Sequence, residues 1–230
     1  METPNTKPYH LPSDAVWFIA GCSSGLGQSL AQLVAQSPNR VVATARKLAS
    51  LSSIPAGNNV LKLQLDVTSA ASIDVAFRAT LERFGRIDVV VNNAGYTLVG
   101  DTESAGDEES RAVLDTNFWG MVDVTKKALG VMRDENPQNG AQQGGVIANI
   151  SSMGGWMGFP SSSFYHASKF AMEGWTESVA KELPSSWNRS DAWGMIMKDL
   201  ADTKKDLDEL KDISLGVGDA KQLESINFLK

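Results

Sequence analysis

The sequence predicts a doubly wound α/β fold on a parallel sheet, and two observations carry that expectation. Short apolar runs alternate with longer amphipathic ones from Val16 to about Leu183, the pattern of buried parallel strands joined by crossover helices. A glycine-rich turn also separates the first apolar run from the first amphipathic one, where such folds bring bare backbone up to a ligand. With 230 residues, 42% of them apolar, the chain can bury the core of a single domain.

A polar, proline-rich extension, 1–14, comes first and lacks the basic and apolar stretches of a secretory leader. Strands are expected over Val16–Ala20, Val41–Ala45, Val60–Leu65, Asp88–Asn92 and Val146–Ile150, each apolar or β-branched and bounded by Gly, Asn or Asp. Helices are expected over Leu26–Gln36, Ala70–Phe84, a long stretch around Glu108–Asp134, and Ser163–Leu183. Right-handed crossovers between parallel strands turn this order into a doubly wound sheet with ligands at the carboxyl ends of its strands.

A formal charge of −6 argues against a nucleic acid or an anionic membrane as partner and favours a small molecule. Cys22 is the only cysteine, which excludes an internal disulfide framework and fits a reducing, cytoplasmic location. No Cys/His cluster offers a metal site, and no apolar run approaches the ~20 residues of a membrane span.

The first strand runs straight into Gly21-Cys22-Ser23-Ser24-Gly25-Leu26-Gly27 and then a helix. Free N–H groups and the positive end of the helix dipole make such a turn a seat for a pyrophosphate, although a plain tight turn reads the same way. An NAD site places Asp or Glu about 20 residues further on, to bind the ribose 2′-hydroxyl. Here that place is Ala45, no acidic residue occurs from Gln28 to Leu65, and Arg46 and Lys47 follow. NADP(H) is the cofactor this predicts, with Arg46 and Lys47 set to pair with a 2′-phosphate; the alternative is that they are solvated surface charges. Tyr165 and Lys169 stand four residues apart on one helix face, where a lysine cation favours the phenolate and makes the tyrosine a usable acid and base. Taken alone, such a pair is more often an ordinary surface pair.

Asp66-Val67, Asn92-Asn93-Ala94-Gly95, Asn117, Ser152 and Tyr165-x-x-x-Lys169 follow one another as in the short-chain dehydrogenase/reductase family, which this chain resembles over about Val16 to Leu183. The resemblance implies a Rossmann-type domain over 15–186 in which Gly21, Gly25 and Gly27 cradle the pyrophosphate and Asp66 and Val67 hold adenine. It also implies that Asn93, Ala94 and Gly95 flank the adenosine ribose, and that Asn117, Ser152, Tyr165 and Lys169 form a catalytic tetrad. Asp66 can instead cap a helix, Asn92-Asn93 can be a turn, and Asn117 a helix interruption. In the implied chemistry Ser152 binds the substrate oxygen, Tyr165 exchanges its proton, Lys169 grips the nicotinamide ribose and Asn117 holds a relay water. The reaction is then carbonyl–alcohol interconversion with NADP(H). The run Ser152–Pro160 resembles the active-site loop of hydroxysteroid and retinoid-type members, which implies a bulky apolar substrate near Trp156, Met157 and Phe159; the alternative is that these three simply pack beside a core strand.

The family's sixth strand and its Pro-Gly turn are not found after Ser186. A shortened helical region over 187–230, with an amphipathic helix over Asp191–Asp212, is expected in their place, as after an internal loss; Ile213–Val217 or a partner subunit are the candidate replacement strands. The fifth strand is then a sheet edge. The competing expectation is a cofactor-binding or regulatory protein with impaired catalysis. Pairing through the helices of Asn117 and Tyr165, to a homodimer or homotetramer, is also implied by the resemblance.

Overall fold

The computed structural model of the chain describes residues 9–183. All five expected strands form: β1 (Val16–Ala20), β2 (Arg40–Ala45), β3 (Val60–Gln64), β4 (Val89–Asn92) and β5 (Val146–Asn149). They pair in parallel in the order β3-β2-β1-β4-β5. The chain leaves β1 in one direction to β2 and β3, then returns to the other side of β1 for β4 and β5. This reversal opens a crevice at the carboxyl ends of β1 and β4, where Ala20 is in register with Asn92.

The sheet separates two apolar layers. All five residues of β1 are buried, so its strand reads as an unbroken apolar run rather than an alternating one. Trp17 and Ile19 pack towards α1 (Gly25–Ala35), with Leu30, Ala31 and Val34. Val16, Phe18 and Ala20 face the other layer, with α2 (Ala70–Phe84) and α4 (Gly120–Gly130). The rings of Phe18 and Phe77 meet there at 4.5 Å, a contact worth about 1 kcal/mol beyond burial alone. The bounds of α2 follow from its ends: Ser69 caps the start by accepting from Ser72 N–H, and Gly85 closes it in the left-handed conformation.

The long helix expected around Glu108–Asp134 is a run of three segments, α3 (Asp107–Leu114), α4 and α5 (Asn136–Gln138). Wide π-helical turns at Asp115–Trp119 and Val131–Glu135 join them. The last helix among the described residues, α6 (Ser163–Glu182), packs beside α4, where Met172 meets Met121 and Val122. Among the described residues β5 is the outer strand on its side of the sheet, paired with β4 alone. The expected helix Asp191–Asp212 and strand Ile213–Val217 lie outside the described residues.

At the opposite end of the sheet from the crevice, Asp88 is buried and accepts from Val16 N–H at 2.8 Å, Tyr9 hydroxyl at 3.0 Å and Arg86 Nε at 2.8 Å. Tyr9, in the stretch read as a polar extension, is thereby part of the core, and burial together with the Asp88 carboxylate drives its phenol far above the usual range. Asn136 performs a related task, exchanging two side-chain hydrogen bonds with the main chain of Ile87 at 3.1 and 2.8 Å. No described helix is long and apolar enough to cross a membrane.

Candidate functional site

Two loops meet in the crevice. Gly21 leaves β1 with φ +81°, and an added Cβ would lie 2.8 Å from Ala94 Cα, so only glycine lets the two turns touch. Asn93 Nδ2 fastens them by donating to the carbonyls of Ala20 at 3.2 Å and Gly21 at 2.8 Å. Cys22 N–H is held by Thr44 carbonyl at 2.7 Å, and its buried thiol points to Ile19 carbonyl at 3.3 Å. Burial pushes that thiol up to about 12. Ser23, Ser24 and Gly25 are exposed, while Leu26 is half-buried and Gly27 buried. Ser24 begins α1 without making a side-chain cap, and the first turn of α1 carries no acidic residue. Its N–H groups are left for an external anion, which is the fit a dinucleotide pyrophosphate requires.

Beside this cradle, β2 ends at the buried Ala45, and Arg46 and Lys47 emerge exposed. Neither side chain makes an ion pair or hydrogen bond among the described residues. Asp66 turns inward on its own loop, where its carboxylate accepts from Thr68 N–H at 3.0 Å and Thr68 hydroxyl at 2.7 Å. Val67 is buried and wedged against Gly120, where an added Cβ would lie 2.9 Å from Val67 Cβ.

The second half of the crevice lies at the end of β5. Asn92 Nδ2 donates to Asn149 Oδ1 at 2.8 Å and to Thr125 hydroxyl at 2.9 Å, and Asn149 Nδ2 continues to Thr176 at 2.8 Å, linking β4, β5, α4 and α6. This buried polar chain fixes the strand ends that carry the site. Ser152 starts the short 3₁₀ turn Met153–Gly155, and its Oγ accepts from Gly154 N–H at 3.1 Å. Its hydroxyl proton is thus free to donate to a substrate oxygen. The neighbouring Ser151 hydroxyl is buried without a partner among the described residues.

Tyr165 and Lys169 share one face of α6 as expected, with Lys169 Nζ 5.9 Å from the Tyr165 ring centroid. Lys169 is buried and donates to Ile150 carbonyl at 2.7 Å; desolvation lowers its ammonium to about 8, while Glu173 works in the opposite sense. The Tyr165 hydroxyl makes no hydrogen bond among the described residues. Asn117, fully buried in the π turn, accepts from Tyr96 N–H at 3.0 Å and donates to Tyr96 carbonyl at 2.9 Å and Ser168 hydroxyl at 3.1 Å. Its amide hydrogens are therefore both used, which leaves one Oδ1 lone pair for a further partner. Sequence reasoning missed His166, whose Nδ1 lies 3.1 Å from Gly154 carbonyl; nothing in its local pattern signals a partner so far along the chain.

A glycine turn open to an anion lies on one side of the sheet's switch point, and a phenol–ammonium pair beside a free hydroxyl on the other, in a parallel α/β fold. The chain belongs to the short-chain dehydrogenase family, whose model matches residues 15–187. Oxidoreductase calM of Penicillium decumbens is 51% identical over 193 residues, covering 82% of this chain and 62% of that protein. A 3-ketodihydrosphingosine reductase of Bacteroides thetaiotaomicron is 40% identical over 167 residues, covering 72% of this chain and 57% of that one. The chain thus spans about three-fifths of the length of these curated relatives. Among solved structures, a short-chain dehydrogenase from Streptomyces avermitilis matches with TM-score 0.66 at 36% identity, covering 73% of this chain and 61% of that one. The 3-ketoacyl-(acyl-carrier-protein) reductase of Brucella melitensis, complexed with NADH, matches with TM-score 0.69 at 28% identity, covering 75% and 72%.

Proposed function

We propose that this protein interconverts a carbonyl and an alcohol on an apolar small molecule with NADP(H), using Ser152, Tyr165 and Lys169. The observation that carries this reading is the Tyr165–Lys169 pair packed beside the Ser152 turn, across the crevice from the uncapped start of α1. When bound, the nicotinamide supplies the hydride equivalent for the exchange. Gly21, Ser23, Ser24, Gly25, Leu26 and Gly27 hold its pyrophosphate, with Asn93, Ala94 and Gly95 alongside, and Asp66 and Val67 border the adenine. The Ser152 hydroxyl donates to the substrate oxygen, and Tyr165 gives that oxygen its proton or removes it. Lys169, on the same face of α6 with Nζ 5.9 Å from the Tyr165 ring centroid, grips the nicotinamide ribose. Asn117 secures Tyr96 and the floor of the site, and its remaining lone pair is the point at which a relay water attaches.

The missing acid at Ala45 and the exposed, unengaged Arg46 and Lys47 support NADP(H) over NAD(H). Large apolar side chains rim the site: Tyr96 and Val99 on one loop, Met153, Trp156, Met157 and Phe159 on the other, all exposed. Gly100 N–H to Ser161 carbonyl, 2.9 Å, and Thr102 to Ser163, 2.9 Å, join these loops into one rim, which supports an apolar substrate. Exposed Trp119 and Phe170, near Asn117 and on α6, support pairing to a homodimer or homotetramer through these helices. A cytoplasmic setting suits the lone buried Cys22.

Titrating the purified protein with NADPH and NADH, followed by nicotinamide fluorescence, tests the cofactor half. Saturable binding favouring NADPH, with reduction of apolar ketones that Tyr165→Phe abolishes, is expected; turnover retained in Tyr165→Phe would overturn the mechanism. The second reading is a cofactor-binding or regulatory protein with impaired catalysis, motivated by the Pro-Gly turn not found in the sequence after Ser186. That protein would bind NADPH and reduce none of the ketones.

A further inference from the structure

His166 connects α6 to the turn that carries Ser152. Its side chain is buried, and Nδ1 lies 3.1 Å from the carbonyl oxygen of Gly154. A carbonyl oxygen only accepts, so Nδ1 carries the hydrogen and donates. Gly154 N–H donates in turn to Ser152 Oγ at 3.1 Å. One residue, Gly154, therefore receives His166 at its carbonyl and holds Ser152 at its amide. The place admits no side chain, since a Cβ on Gly154 would overlap His166 Nδ1 and lie 3.2 Å from Tyr165 Cε1. The His166 ring is flanked by Phe159 at 5.5 Å and by Tyr165 at 5.8 Å, centroid to centroid.

Packing alone does not account for a histidine here. Nε2 is buried with no partner among the described residues, a cost that leucine or phenylalanine would avoid. The Nδ1 bond to Gly154 is what the imidazole contributes in return.

We infer that His166 is a positioning residue: by donating to Gly154 carbonyl it fixes the Ser152–Gly155 turn against the Tyr165 ring, so that the Ser152 hydroxyl and the Tyr165 phenol address the same substrate oxygen. This rests on the reading of Ser152 and Tyr165 as the reacting pair. His166 acts through Gly154 and the Ser152 turn. A sequence neighbour of the tyrosine thereby sets the distance between two groups from different elements, β5's loop and α6.

The test compares His166→Leu, which removes the donor, with His166→Asn, whose amide donates from nearly the same point, in the full chain. Amide hydrogen exchange over 152–157 and NADPH affinity are measured without substrate; kcat and KM are measured on apolar ketones. His166→Leu is expected to exchange faster over 152–157, to keep its NADPH affinity, and to lose roughly tenfold or more in kcat with a smaller change in KM, while His166→Asn recovers most of the loss. Unchanged exchange and kcat in His166→Leu, or an Asn variant as impaired as the Leu variant, would overturn the inference. Where His166→Leu does not fold, His166→Asp replaces it, placing an acceptor where Asn places a donor; equal behaviour of Asp and Asn variants counts against the inference. A wild-type protein that reduces no ketone counts against the proposed function alone, and the exchange comparison still decides the role of His166.

Discussion

Lys169 Nζ stands 5.9 Å from the centre of the Tyr165 ring while giving a hydrogen bond to Ile150 carbonyl at 2.7 Å. The ammonium is therefore buried, held by one neutral oxygen and a ring face, and burial lowers it to about 8. An unfolded lysine keeps its proton to about 10.4, so between these values the unfolded chain binds a proton that the native state has released. Native stability contributed by this group is thus fully present above the upper value and is lost as pH falls through about 8. Relative to Lys169→Met, the wild-type unfolding free energy is expected to rise by on the order of 3 kcal/mol across that window. Urea unfolding of both proteins from pH 7 to pH 10.5 checks this, and a pH-independent difference would contradict it.

Asn117→Ala is expected to cost about 2 kcal/mol of stability, because it strips partners from Tyr96 N–H, Tyr96 carbonyl and Ser168 hydroxyl in a buried place. The urea midpoint should fall and NADPH binding weaken with it, as the Asn93–Tyr96 turn loosens. A variant with the wild-type midpoint would show that the Tyr96 turn stands without this amide.

Replacing Arg46 and Lys47 together by alanine leaves the fold untouched, since both are exposed and unengaged. NADPH affinity should drop by roughly tenfold or more, the scale of a lost charge-assisted contact, with NADH affinity within about twofold. Equal losses for the two cofactors would remove the 2′-phosphate assignment.

At the other end of the sheet, Asp88→Asn should destabilise the protein by about 3 kcal/mol, since Arg86, Tyr9 and Val16 N–H all converge on a buried carboxylate. Tyr9→Phe removes one of those three donors and should cost about 1 kcal/mol. Thermal or urea unfolding measures both, and the order of the two losses is the expected result; a larger loss in Tyr9→Phe would break it.

Much of the fold was legible because parallel strands buried on both faces are written as plain apolar runs. β1 and α2 fall on the residues expected, the latter because Ser69 and Gly85 mark its ends. The π turn around Met132 was not, since one extra residue in a turn hardly disturbs a 3.6-residue period, while at Asn117 a helix interruption was one of two readings and a π turn stands there. Within the site, the Tyr165–Lys169 face followed from helical spacing, whereas Ser152 followed from the apolar run of β5 that ends just before it and, over its neighbour Ser151, from the family resemblance. The bond from His166 to Gly154, and the convergence of Tyr9 on Asp88, depend on contacts distant in sequence that no local pattern records.

The seclusion of Cys22 inside the glycine turn makes the chain's single thiol a built-in gauge of that turn. With its sulfur buried and held up to about 12, it resists alkylation and oxidation for as long as the turn stays closed on Thr44. A thiol reagent therefore reports opening of the glycine turn with no second cysteine to blur the signal, and protection of the turn by an added dinucleotide would be read as a slowed labelling rate.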